Sequence, residues 1–388
     1  MKTPEATVPR YGNLIAAIAA VAACDIALGL TLQLLPLLMD RQGVPAWLIG
    51  VNAAMGPIGI LVAGPFLPRI LGNIGTKRAA YIVIAVMILI LMAISLSPFW
   101  MWFPLRFCFG IATGALFTIS EAWVLTFAGD NNRGRVMGLY TSVLAVTFSV
   151  GPLIIPWTGI DGWLPWTIGI VCILLSALPL GFVKVEGGDF RQTESGGFFA
   201  VVRKAPLLLF AVGAATLFDN VFISFFTIFG MRNGVDLDVA SRILGVGIIG
   251  NVLLFYPMGW LADHWSKRGV MVLTASLAVL LSLALIVIIG HWIVWPAVIL
   301  LSASAFGVYV VALATMGDSF KGPDVMAGSA AIAAMWGVGG LIGPPVAGAA
   351  IDAFGINAMP VTLASFYVIL LAGLALTGGK LVREPAQS

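Results

Sequence analysis

Four ionisable residues interrupt stretches that are otherwise apolar for about twenty positions: Asp25, Arg106, Glu121 and Asp219. An isolated charge at mid-depth in a bilayer costs roughly 3 kcal/mol or more, so each of them should face a wet gap or a partner. A carboxyl that alternates between a buried setting and an Arg partner takes up and releases a proton, which is coupling chemistry. One proton crossing gains roughly 2.3 kcal/mol per 100 mV, enough to drive about a fifty-fold gradient. Three acids against one Arg leave such a gap net negative when ionised, which favours a proton or a cationic group over an anion. Arg106, Gly110 and Gly114 step round a helix by about 40° each, and Glu121 lies about 60° from Arg106, so one face carries them. Fifteen residues of helix are about 22 Å, so Arg106 and Glu121 cannot pair directly. Arg106 needs another acid.

Neutral groups in the same kind of stretch could shape a pocket: Gln33, Asn52, Asn220, Asn251, Tyr309 and Trp336, with Phe218, Phe222 and Phe225 on one stripe. Aromatics at helical spacing more often pack helices or face lipid than touch a ligand. His264 and His291 sit at span ends and read as surface or interface residues. Cys24, Cys108 and Cys172 lie far apart in apolar sequence, which fits neither a metal site nor a disulfide framework. No nucleophile, base and orienting acid group together, and no G-x-x-x-x-G-K-[ST] is present, so neither an enzyme nor direct ATP drive is expected. No cofactor or metal is implied.

The elements that hold these residues follow from composition. The 388 residues are 60% hydrophobic and 10% charged, with a mean hydropathy of +1.06; soluble domains carry about 25% charged residues. Runs such as AYIVIAVMILILMAISL do not alternate, which excludes a strand barrel and predicts an all-α membrane protein. Charge-free runs predict twelve spans: 11–39, 46–71, 79–97, 99–127, 136–157, 163–183, 206–230, 240–262, 270–289, 293–317, 327–350 and 360–381. The apolar run continues beyond V-A-A-C at 21–24, so the first is a span and not a lipoprotein leader. The polar stretch 184–205 reads as a cytoplasmic linker between an N-terminal six-helix bundle, 1–183, and a C-terminal one, 206–388.

With twelve spans both ends lie on one side. Sixteen of the 20 Lys and Arg fall on that side, the other four being Arg41, Arg232, Arg242 and the embedded Arg106. Both termini are therefore expected in the cytoplasm of a multi-pass protein of the cell inner (plasma) membrane. The net charge of +3 is small and spread out, unlike a nucleic-acid footprint.

The two halves repeat. L-I-G-V at 48–51 faces I-L-G-V at 243–246, Gly64 faces Gly259, and Asp25 faces Asn220, an offset of 195; Gly110 and Glu121 face Gly307 and Asp318 at 197; Gly151-Pro152 faces Gly343-Pro344. Ordered matches across four helix pairs indicate parallel repeats, an architecture that places a substrate site between halves and gives alternating access by rocking.

The loop G-W-L-A-D-H-W-S-K-R at 259–268 resembles the signature loop of the major facilitator superfamily. R-F-C-F-G-I-A-T-G at 106–114 resembles its fourth-helix motif with an embedded Arg, and G-V-G-G-L-I-G-P-P-V-A-G at 337–348 is similar to the Gly-Pro motif that antiporters carry on helix 5. With P-R-I-L-G-N-I-G-T-K-R from Pro68, S-E-A-W from Ser120 and R-G-R from Arg133, nearly the whole chain resembles the YcaD-like branch. The resemblance implies twelve helices in two six-helix bundles related by a pseudo-two-fold, a functional monomer in the lipid bilayer, and helices 1 and 4 lining a cavity. Asp25 is then the expected partner of Arg106.

The same resemblance implies gating at the cytoplasmic loops by Arg69, Arg78, Arg133, Arg135, Gly259, Asp263, Arg268 and Asp318. The first-half loop has Pro68 and Gly72 where many members carry an Asp, and its charges are all basic. Arg69, Lys77 and Arg78 are expected to meet Asp318 and Asp324; the alternative is ordinary positive-inside loops. The resemblance implies secondary transport of small organic solutes, and the embedded acids point to proton-coupled efflux of amphipathic or cationic compounds. Uptake or facilitated passage of a metabolite is the alternative.

Overall fold

A computed structural model describes residues 11–128, 132–183, 201, 203–320 and 323–377. Thirteen α-helices occupy them: α1 (Tyr11–Arg41), α2 (Ala46–Ala63), α3 (Leu67–Ile74), α4 (Thr76–Leu96), α5 (Trp102–Phe127), α6 (Arg133–Thr158), α7 (Leu164–Phe182), α8 (Pro206–Arg232), α9 (Leu237–His264), α10 (Lys267–Ile288), α11 (Val294–Ser319), α12 (Pro323–Phe354) and α13 (Ala358–Leu376). All but α3 have 18 residues or more, and eleven are also apolar enough along their length to cross a membrane. Helix is the only regular structure that satisfies each peptide group within its own segment in hydrocarbon, and the described residues contain no strand.

Two boundaries differ from the sequence reading. The predicted span 46–71 breaks at 64–66, so α2 ends at Ala63 and a short α3 follows. Pro65 has no N–H to continue the ladder and disfavours helical geometry at Gly64. At the other extreme, α12 runs through Pro344 and Pro345 for 32 residues. Of the expected linker, 184–200 and 202 lie outside the described residues.

The chain forms two compact units. Unit 1 comprises residues 1–34 and 58–192; unit 2 comprises 35–57 and 193–388. In unit 1, α4 packs on α5 and α7, and α6 on α5 and α7. Close helix crossings are made through glycine: Gly29 and Gly151 bring the backbones of α1 and α6 together, and Gly59 brings α2 onto α5 at Phe107 and Ile111. Small residues let helices approach where no hydrophobic force separates protein from lipid. Trp123 Nε1 donates to Thr76 Oγ1 at 3.1 Å and Lys77 Nζ donates to the carbonyls of Gly181 and Val183, tying α4 to α5 and α7.

In unit 2, α8 is the central helix, packed on α9, α11, α12 and α13, while α10 packs on α11 and α13. Gly339 and Gly343 of α12 lie against Thr216, Leu217 and Val221 of α8. The end of α1 and most of α2 belong to this unit. Gly50 abuts the main chain of Pro344, Gly348 that of Ala46 and Trp47, and Gly340 the ring of Pro57. Asp352 of α12 accepts from Ala46 N at 2.9 Å and Trp47 N at 2.8 Å; Arg232 pairs with Asp40; Asn233 Nδ2 donates to Asn357 Oδ1 at 3.4 Å.

Candidate functional site

Unit 1 gathers acids and hydroxyls on three helices. Asp25 of α1 is 4% exposed, with Oδ2 3.4 Å from Thr147 Oγ1 of α6. Thr147 Oγ1 also lies 2.9 Å from the carbonyl of Val143, the better acceptor by distance for its single proton. Thr147 thus shares its one proton between that carbonyl and the more distant Asp25 carboxyl, which accepts the longer contact. Two turns earlier on α6, the hydroxyl of the fully buried Tyr140 is 2.6 Å from Ser120 Oγ of α5. Ser120 Oγ donates to the carbonyl of Phe117 at 2.9 Å, so Tyr140 supplies the proton of the shorter bond. The phenol is within electrostatic reach of Glu121 and Asp25. Glu121 itself is exposed.

Beside Asp25 is a cavity of about 10 Å³ lined by Val21, Cys24, Leu28 and Met87 and, from α5, by Thr113, Leu116 and Phe117. The α5 residues that share this cavity with Asp25 begin at Thr113, seven residues or about 10 Å of helix beyond Arg106. Arg106 is buried at 3% exposure. Its expected pairing with Asp25 stays a proposal. Thr113 Oγ1 has no hydrogen-bond partner. Sequence reasoning passes over Thr113, Tyr140 and Thr147, because hydroxyls in apolar helices usually bond their own carbonyls, as Thr31 and Thr118 do here. The seven-residue spacing of Tyr140 and Thr147, two turns on one face, is the available signal.

In unit 2, Asp219 is half-buried on α8, within electrostatic reach of the buried Tyr367 of α13, whose hydroxyl has no partner. Asn220 Nδ2 donates to the carbonyl of Thr216 at 2.9 Å, and its side chain lies where α12 passes at Gly340. Phe222 is 1% exposed and flanked by Phe218 and Phe226, centroids 5.2 and 4.6 Å away; with Phe225, also buried, it packs the core of this unit. Tyr309 of α11 and Trp336 of α12 meet edge-on at 5.9 Å, each about 6.2 to 6.3 Å from Phe306, and Trp336 is 37% exposed. Asn251 is buried with Oδ1 unpartnered; Gln33 and Asn52 are buried.

At the predicted cytoplasmic ends, Asp318 pairs with Lys267 and Lys77 is held by carbonyls of α7. Each of these groups thus has a partner within its own unit, and the expected meeting of Arg69, Lys77 and Arg78 with Asp318 and Asp324 stays a proposal. Arg78, Arg135 and Arg268 are exposed. The side-chain surroundings of Arg69, Arg133, Gly259, Asp263 and Asp324 lie outside the described residues. No group of three or more His, Cys, Asp or Glu that could hold a metal occurs among the described residues.

A family profile described as Major Facilitator Superfamily matches residues 15–316 and, separately, 208–388. The MFS-type transporter YfkF of Bacillus subtilis is 25% identical over 363 residues, covering 89% of this chain and 91% of its own. The MFS-type transporter YcaD of Salmonella typhimurium is 25% identical over 369 residues, covering 92% and 93%. Among solved structures, the nucleoside transporter NupG superposes with a TM-score of 0.73 at 13% identity, over 95% of this chain and 99% of that one. A bacterial homologue of the human lysosomal transporter Spinster, inward-facing and occupied, gives 0.75 at 15% identity over 100% of both chains.

Proposed function

The chain belongs to the major facilitator superfamily, and from that premise we propose that it is a proton-coupled exporter of amphipathic or cationic small organic solutes, working by alternating access. It is a secondary transporter and a multi-pass membrane protein of the kind represented by YcaD and YfkF. In our reading it sits in the cell inner membrane with both termini cytoplasmic, works as a monomer, and rocks a bundle of residues 1–183 against one of residues 206–388. Asp25 and Glu121 carry the proton, with Arg106 and Asp219 biasing when it leaves. Gln33, Asn52, Asn220, Asn251, Tyr309 and Trp336 contribute to the substrate pocket. Phe222 joins them on rearrangement of its ring stack.

The observation that carries this reading is Asp25: a carboxyl 4% exposed inside an apolar helix, with the hydroxyl of Thr147 as a hydrogen-bonding neighbour. A charge there without compensation is too costly to be retained for packing alone, whereas a proton that comes and goes removes the cost. The test is flux in proteoliposomes, after a thermal-shift screen of small solutes has supplied a ligand. Efflux should accelerate with an imposed pH gradient, and Asp25→Asn and Glu121→Gln should retain binding and exchange while losing the response to the gradient. An unchanged gradient response in both variants would remove their coupling role. Flux indifferent to the gradient in the parent protein would favour facilitated passage of a metabolite.

A further inference from the structure

We infer that Asp352 is a latch: its carboxylate, with the Arg232–Asp40 pair beside it, holds the first turn of α2 and keeps the outer end of the transporter shut. The inference rests on the alternating-access reading above.

Helix α2 begins after Pro45, so the N–H groups of Ala46 and Trp47 have no acceptor within the helix. Asp352 supplies one, an oxygen for each, at 2.9 and 2.8 Å, across 306 and 305 residues of chain. An anion at a helix start gains from both the direct bonds and the aligned peptide dipoles. Arg232 to Asp40 and Asn233 to Asn357 extend the polar contact along the same rim. Directly inside it, Gly348 and Gly50 allow α2 and α12 to touch main chain to main chain, leaving no side chain to wedge them apart. These contacts join the stretch 35–57, which comes from the first sequence repeat, to helices of the second, and they fall at the end assigned to the outside by the Lys and Arg count.

The contacts also have the strength a latch needs. Asp352 is exposed and the Arg232 side chain is 43% exposed, so on opening their charges return to water at little cost. Breaking them changes an equilibrium by a modest factor, which a proton or a bound solute can overcome. The other end of α2 offers no matching device from its own loop: residues 64–78 carry Arg69, Lys77 and Arg78 and no acid.

The test uses the full chain in lipid nanodiscs with no solute added. Spin labels at Gln42 and Ala353, both exposed, report the separation of the two sides of the rim in a background lacking the three native cysteines. The parent should show mainly the short distance. Asp352→Asn should lower the ratio of short to long distances about three- to tenfold, and Asp352→Ala at least as much. Asp40→Arg should lower it too, and the swap Asp40→Arg with Arg232→Asp should restore it. Gly348→Ala, which pushes a methyl into the α2 main chain, should open the rim without altering charge. A ratio unchanged in both Asp352 variants and in Asp40→Arg would overturn the latch, whatever Gly348→Ala does. Because the labels need no substrate, absence of flux for every solute alongside the expected shifts would defeat the transport reading and leave the latch standing.

Discussion

At the scale of single residues, Tyr140 is a packing residue with a polar tip: its ring is buried in unit 1 and its hydroxyl is hydrogen-bonded. Its hydroxyl satisfies Ser120 at 2.6 Å and lies within electrostatic reach of Glu121 and Asp25. Tyr140→Phe should lower stability by about 1 kcal/mol, the worth of one buried hydrogen bond, read as a lower apparent melting temperature in detergent. If the hydroxyl also communicates between Glu121 and Asp25, the same variant shifts the pH profile of flux, while Ser120→Ala, which spares the phenol, shifts it less. The acids and Arg106 were legible in the sequence because an ionisable residue inside twenty apolar ones stands out by cost alone. Asp352 was not, because a carboxylate next to a loop looks like any other surface charge until the helix start it caps, three hundred residues away, is placed beside it.

At the scale of elements, glycine divides into two kinds. Gly29 and Gly151 sit where a Cβ would meet the facing main chain of α6 or α1, and Gly138 of α6 has nothing within 4 Å. Gly151→Ala should therefore destabilise by about 1–3 kcal/mol, while Gly138→Ala should stabilise by up to about 1 kcal/mol through helix propensity. Unfolding midpoints of the two variants against the parent check both signs. The sequence placed every long helix, since bilayer thickness sets a length and the charges mark its ends. It missed the break at 64–66, where Gly64-Pro65 lies in an apolar run that carries no charge to mark a boundary. Distances between helices were not legible, because glycine spacing fixes which faces are smooth and leaves open which helix lies against them.

At the scale of the whole molecule, the loop at 259–268 carries the resemblance to the superfamily whose profile matches residues 15–316 and 208–388. The proposed orientation makes a prediction of its own: a cysteine at Asp161, between α6 and α7, should react with an impermeant maleimide on intact cells, and one at Arg268 only after lysis. Reaction of the second in intact cells would invert the assignment. What sequence could not supply was the division of α1 and α2, whose residues 35–57 side with the second half of the chain.

That division bears on how the gene could be cut. Two polypeptides separated near residue 193 would each be incomplete: the longer-range neighbours of 35–57 would reside on the other fragment, leaving exposed the glycine-lined strip of α12 and the bare start of α2. Co-expressed, such pieces should find one another in the bilayer and co-purify, and the shorter pairing surface would act as the recognition signal between them.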